Sequence, residues 1–333
     1  MENTQNIKKK PPKKDLENIL FVRSRPDRYG QNSILWIFFS YLSTFLNFPL
    51  YHNCSEYCKR YKQNVFHIIL KKYSKPYPPE FINKKIKYPP KTFSKSINYI
   101  STLTSKPFPD IFCKSKLHLD ILSHFEQKKT EKKWYIPKNI RKSIIIHVRL
   151  DDVYHNPNGS KQAFIGHNKL IELIKYTSKY NKNIYLMVCP NKKDIEICNN
   201  AIKRSQIKCQ ILSNEDIDLD IYLMSQCKLL IMSRSVFSLV GGLLNINTSY
   251  TYEIWRNFND FIGYSTDGKV FNSEKFKVLP GFTEMYENKL KLDYDRLSDR
   301  KKHKISKKIK AKNLRKELRE LERQKKRESR LDS

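Results

Sequence analysis

The chain has 333 residues, 39% of them hydrophobic, so it can bury one large core or two of ordinary size, and global disorder is excluded. Lys and Arg number 65 against 33 Asp and Glu, and this net charge of +32 points to anionic partners without choosing among phosphates, nucleic acid and acidic lipid. Residues 296–333 hold 17 basic and 6 acidic side chains, so about a third of the excess belongs to a tail with few core-forming residues.

Residues 1–14 form a basic arm with no apolar segment directly after them, which argues against a secretory signal. Residues 18–22 (NILFV) have the length and composition of a strand, and residues 23–32 (RSRPDRYGQN) read as a basic, turn-rich loop. A buried helix over 33–45 and a second strand over 48–52 complete a β-loop-α-β unit, the opening of a doubly wound sheet. The apolar stretch 34–50 is interrupted by Ser40, Tyr41, Ser43, Thr44, Asn47 and Pro49, and falls short of the about 20 residues a spanning helix needs. The expected location is therefore cytoplasmic and soluble, with association at a membrane surface as the alternative. Residues 73–109 carry seven of the fifteen prolines, which argues against regular secondary structure there.

Beyond Pro137 the pattern sharpens. Strands are expected over 143–148, 183–189, 208–212 and 229–232, alternating with helices over 168–180, 193–205, 220–226 and 236–244. Four strands alternating with helices of these lengths predict a parallel sheet with right-handed crossovers, a Rossmann-like domain without a GxGxxG loop. The fold class is α/β, and the organisation reads as a basic arm (1–14), an N-terminal α/β domain with a Pro-rich insertion (15–140), a Rossmann-like domain (141–295) and a basic helical tail (296–333). Seven scattered cysteines form no CxxC pair and no disulfide framework, so reduced thiols are expected. Cys54 and Cys58 with His52 and His67 do not make a recognised zinc pattern.

Ligands of open α/β sheets bind beyond the carboxyl ends of the strands, where helix N-termini favour anions. Three loops have that address. The first holds Gly30, Gln31 and Asn32, a glycine for close backbone approach and two amides. The second delivers His147, Arg149, Asp151 and Asp152 from a buried strand. The third, Ser233-Arg234-Ser235-Val236-Phe237-Ser238, places hydroxyls and an arginine at the start of a helix containing Gly241 and Gly242. Each loop alone also has a plain reading: Gly30 turning the chain, His147 a satisfied core histidine, Asp152 pairing with Arg149, Arg234 ordinary surface charge. Two such loops at strand ends of one domain, with an arginine fork and hydroxyl donors, suit a diphosphate.

The spacing His147-x-Arg149-x-x-Asp152 after a hydrophobic strand resembles the HxRxxD motif of GDP-fucose-dependent fucosyltransferases. Residues 220–238, DIYLMSQCKLLIMSRSVFS, are similar to the α-1,2-fucosyltransferase segment D-x-x-L-M-S-x-C, an apolar strand, then S-x-S-x-F-S. The loop 28–32 is a loose echo of that family's G-x-G-N-Q start, here Gly-Gln-Asn, and the resemblance spans residues 18–250. Leu239 and Val240 stand where the family has two tryptophans, and Leu150-Asp151 where it has Arg-Gly.

The resemblance implies a two-domain GT-B architecture and an inverting transfer from a GDP-sugar, a co-substrate, to a glycan or glycoconjugate hydroxyl. It implies no cofactor and no obligatory metal, and Asp151-Asp152 is not a DxD pair. In that scheme Arg149 stabilises the departing β-phosphate, Ser233, Ser235, Phe237 and Ser238 contact the donor with His147, Gly30, Gln31 and Asn32 add donor contacts from the first loop, and Asp152 serves as the base. Two readings compete: a nucleic-acid-binding protein acting through its basic ends, and an inactive scaffold of the same fold. The tail is expected to meet an anionic surface or nucleic acid.

Overall fold

The computed structural model describes residues 20–23, 29–53, 64–76, 106–150, 165–252 and 273–279. The chain divides into two units, Met1–Leu279 and Pro280–Ser333, and every described residue lies in the first. The tail and its expected helix, the arm 1–14, and Asp151 and Asp152 all lie outside the described residues.

Two parallel sheets build this unit. The smaller joins β1 (Leu20–Arg23), β2 (Leu50–Asn53) and β3 (Lys75–Pro76) in that order. Between β1 and β2 runs α1 (Tyr29–Leu46), whose apolar residues lie nearly all round, as a helix surrounded by protein requires. Ile34, Trp36, Ile37, Phe38 and Phe39 are buried, and the helix ends at Asn47, which takes the left-handed conformation (φ 53°) suited to a C-cap position. The stretch that tempted a membrane reading is thus a buried helix followed by a strand. No helix among the described residues is long and apolar enough to cross a membrane.

Two expectations need correction. Tyr29, Gly30, Gln31 and Asn32 belong to the first turn of α1 rather than to a loop, because one glycine does not stop a helix whose next three turns are buried. The Pro-rich stretch, expected to be irregular to Pro109, contains β3 and the start of α3 (Phe108–Phe112). Pro76 is tolerated on a two-residue edge strand, and Pro109 in a first helical turn, where its missing N–H has no partner to lose. Two further helices, α2 (Val65–Tyr73) and α4 (Lys116–Lys132), escaped the sequence reading; α4 is capped by Ser115, whose Oγ accepts the His118 N–H.

The larger sheet contains β4 (Ile144–His147), β5 (Ile184–Met187), β6 (Gln210–Leu212), β7 (Leu229–Met232), β8 (Ser249–Thr251) and β9 (Phe276–Val278), all parallel, in the order β6-β5-β4-β7-β8-β9. It has two more strands than expected. The connecting helices are α5 (His167–Ser178), α6 (Lys192–Ser205), α7 (Ile217–Gln226) and α8 (Val236–Leu244); α5 packs on α6 and α7 on α8. Gly241 makes the second contact close: a Cβ there would stand 2.8 Å from the Met224 side chain.

The first lobe docks on this helical layer, α1 against α8 and α4 against α7. At its centre the carboxylate of Asp218 accepts from Lys128 Nζ at 2.6 Å and from the Val65 N–H at 2.9 Å, a buried ion pair completed by a backbone donor. Trp134 Nε1 donates to Asp216 at 3.0 Å beside it.

Candidate active site

Strand order locates the site before any side chain is considered. The chain runs outward from β4 to β5 and β6, then returns to place β7 on the other side of β4. The order therefore reverses between β4 and β7, and the crevice beyond their carboxyl ends is where open α/β sheets bind ligands. The loops that follow these two strands carry the second and third sets of residues singled out in the sequence.

His147 is the last residue of β4, and Ser233 follows β7 directly. His147 Nδ1 and Ser233 Oγ lie 2.6 Å apart in a hydrogen bond whose direction follows the ring tautomer. Burial, then the Arg149 charge, pushes the His147 pKa down to about 3, so the ring is neutral near pH 7. The Phe237 ring sits 5.7 Å from it, tilted by 48°. Arg149 Nη1 donates to the Arg234 carbonyl at 2.8 Å, so the two loops are stitched together twice, once through each pair.

The third loop then turns into α8. Ser235 is the N-cap, its Oγ accepting the Phe237 N–H at 3.2 Å. Ser238 is buried and donates its hydroxyl to the carbonyls of Ser233 and Ser235, at 3.1 and 3.0 Å, which fixes the loop that carries Arg234 and Ser235. Chemically, the arrangement offers a half-buried guanidinium next to a helix N-terminus, backed by a neutral, immobilised imidazole. An anion held there meets charge, dipole and directed N–H groups together.

The structure thus brings together His147, Arg149, Ser233, Ser235, Phe237 and Ser238. Gly30, Gln31 and Asn32 stand instead at the start of α1, beyond the carboxyl end of β1 in the smaller sheet, with Asn32 buried. Sequence reasoning did not single out Asp220 for a role. Its buried carboxyl accepts from Asn214 Nδ2 at 2.7 Å, and burial, with the neighbouring Asp216 adding to it, raises its pKa to about 7. The signal available was its place as the first residue of the 220–238 segment, in the first turn of a helix capped by Asp216 and also carrying Asp218. Leu239 and Val240, the positions of the family's two tryptophans, are 1% and 0% exposed, so that departure is a matter of packing in α8.

A family model described as glycosyl transferase family 11 matches residues 30–262. Among solved structures, the chain is similar to the E. coli heptosyltransferase WaaC with ADP-2-deoxy-2-fluoro heptose, at 10% identity and a TM-score of 0.42, covering 84% of this chain and 98% of that one. No curated protein matches the chain.

Proposed function

Because the chain belongs to glycosyl transferase family 11 and is a glycosyltransferase using a nucleotide-sugar donor and a glycan acceptor, we propose that it transfers fucose from GDP-fucose to a glycan hydroxyl with inversion. The observation that carries the reading is the double stitch between the loops after β4 and β7, which holds Arg149 beside the N-terminus of α8 at the switch point of the sheet.

The chemistry follows from the leaving group. As the bond from the anomeric carbon to the β-phosphate oxygen breaks, negative charge grows on the diphosphate. The Arg149 guanidinium neutralises it through planar hydrogen bonds, and the α8 N-terminus adds its dipole. His147 is uncharged and acts through Ser233 as a positioning residue for this loop pair. The acceptor hydroxyl attacks the opposite face of the sugar, which inverts the anomeric centre, and loses its proton to a base, for which Asp152 is our assignment. No metal is required in this scheme, so turnover should persist in excess EDTA.

Calorimetry and turnover with GDP-fucose test the proposal. The wild type should bind GDP-fucose and GDP, while Arg149→Lys, which keeps the charge and loses the fork, should turn over about 10²-fold more slowly. Binding of another nucleotide sugar in place of GDP-fucose would reassign the donor, and wild-type turnover by Arg149→Lys would remove this arginine from the mechanism.

A further inference from the structure

The opposite end of the same sheet carries a second surface. In a parallel sheet every strand begins at one edge, and neighbouring strands lie about 4.8 Å apart. The residues just before β6, β5, β4, β7 and β8 therefore share an edge about 20 Å long. Before β4 stand Arg141 and Lys142, before β5 Lys182, before β6 Lys208 and before β7 Lys228, all exposed. Across the described loops of this edge the single acidic side chain is Glu274, beside the outermost strand β9.

Two large apolar side chains stand out in the same row. Tyr180, before β5, is 65% exposed and Ile246, before β8, is 62% exposed. Their loops are fixed: Asn181 Nδ2 donates to the Lys142 carbonyl at 2.6 Å, and the Ile246 N–H donates to the Ser225 carbonyl at 3.4 Å. Rigid loops that hold a tyrosine and an isoleucine in water, flanked by lysines, match the chemistry of a lipid interface. There the amine binds anionic headgroups and the apolar side chain enters the acyl boundary. A nucleic-acid backbone would use the lysines but has no place for Ile246.

We propose that this edge, formed by the amino ends of strands β4 to β8, is a docking surface for an anionic lipid bilayer. Docked there, the protein turns the loops after β4 and β7 away from the membrane, toward acceptors reached from the aqueous side. The proposal does not depend on which sugar is transferred.

The experiment uses the full chain, so that the basic tail is present in every sample. Sedimentation with phosphatidylcholine vesicles, with and without phosphatidylserine, measures binding. The wild type should bind only the phosphatidylserine vesicles, more weakly as salt rises. The quadruple variant Arg141→Gln, Lys142→Gln, Lys182→Gln, Lys208→Gln should bind at least about 100-fold more weakly, at roughly fivefold per charge. Tyr180→Ser with Ile246→Ser should weaken binding with no change of charge. All these sites are exposed, and circular dichroism verifies the fold. As a second measurement, Tyr180→Trp should shift its emission to the blue on adding phosphatidylserine vesicles. Wild-type vesicle binding by the quadruple variant would overturn the proposal. So would failure of the wild type to bind, or loss of binding to a short single-stranded RNA with vesicle binding intact.

Discussion

The two ends of the six-stranded sheet are built from the same strands and differ in almost everything else. At the carboxyl ends of β4 and β7 a histidine, an arginine and three serines are tied to one another and to the start of α8. At the amino ends Arg141, Lys142, Lys182, Lys208 and Lys228 are exposed, and Asn181 ties its loop to the Lys142 carbonyl. Each end also buries a lysine. Near α7, Lys128 meets the carboxylate of Asp218. At the other end, Lys275 donates to the carbonyl oxygens of Asn245 and Asn247, and burial pushes its pKa down to about 8. One end of a parallel sheet gathers helix N-termini and so attracts anion chemistry; the other gathers helix C-termini, whose dipoles favour cations. Chain direction alone sets this polarity, and side chains then specialise each end.

The largest effect should come from breaking the ion pair that joins the first lobe to α7. Lys128→Met removes the buried cation from the Asp218 carboxylate, and should lower stability by about 3–5 kcal/mol in denaturant unfolding. The double replacement Lys128→Met, Asp218→Leu should recover part of that loss, while donor binding at the β4–β7 loops follows the folded fraction. A larger loss in the double replacement than in the single one would show that the pair does not act as a unit.

The next effect is a pH dependence. Burial raises the Asp220 pKa from the ordinary 3.8 to about 7 in the folded state, so between these limits the folded protein holds a proton that the unfolded chain has released. Stability contributed by this group is present at low pH and is lost as pH rises toward 7. Asp220→Asn should therefore leave stability at pH 4 nearly unchanged and raise it at pH 8 by on the order of 2–4 kcal/mol. Equal shifts at both pH values would assign the effect to packing instead. His147 acts in the reverse sense, since its depressed pKa makes acidification below the unfolded value of 6.5 destabilising.

A smaller change separates the loop from its helix. Ser235→Ala removes the cap of α8 and should cost about 1 kcal/mol of stability. Donor affinity should fall along with it, because the same turn presents the helix N-terminus. The equivalent cap removal at Asn191, on α6, should cost similar stability and leave donor affinity unchanged.

The sequence made the larger sheet legible where a short, mostly apolar run forms a fully buried strand, as in Ile144–His147 and Ile184–Met187, between helices of ordinary length. It hid β8 and β9, because Ser249 and Thr251 are buried hydroxyl residues in a three-residue strand and the pattern there resembles a loop. The start of α1 was hidden by a glycine and two amides that burial overrides, and α4 was overlooked although Ser115, Leu117, Ile121 and Phe125 carry the cap and spacing of a helix. Within the site, residue types and their nearness to strand ends could be read directly. That β7 lies beside β4, which brings His147 to Ser233, is a property of strand order. The Lys128–Asp218 pair, 90 residues apart in the chain, carries no local signal at all.

The central claim is that the carboxyl end of the β4–β7 pair binds the nucleotide-sugar diphosphate. Amide hydrogen exchange of the full chain with and without GDP-fucose tests it most directly. The account predicts slowed exchange in residues 148–150 and 233–238, with residues 179–183, 206–209 and 245–248 at the other end unchanged. Slowed exchange at the amino-end loops, with none in 148–150 and 233–238, would contradict it.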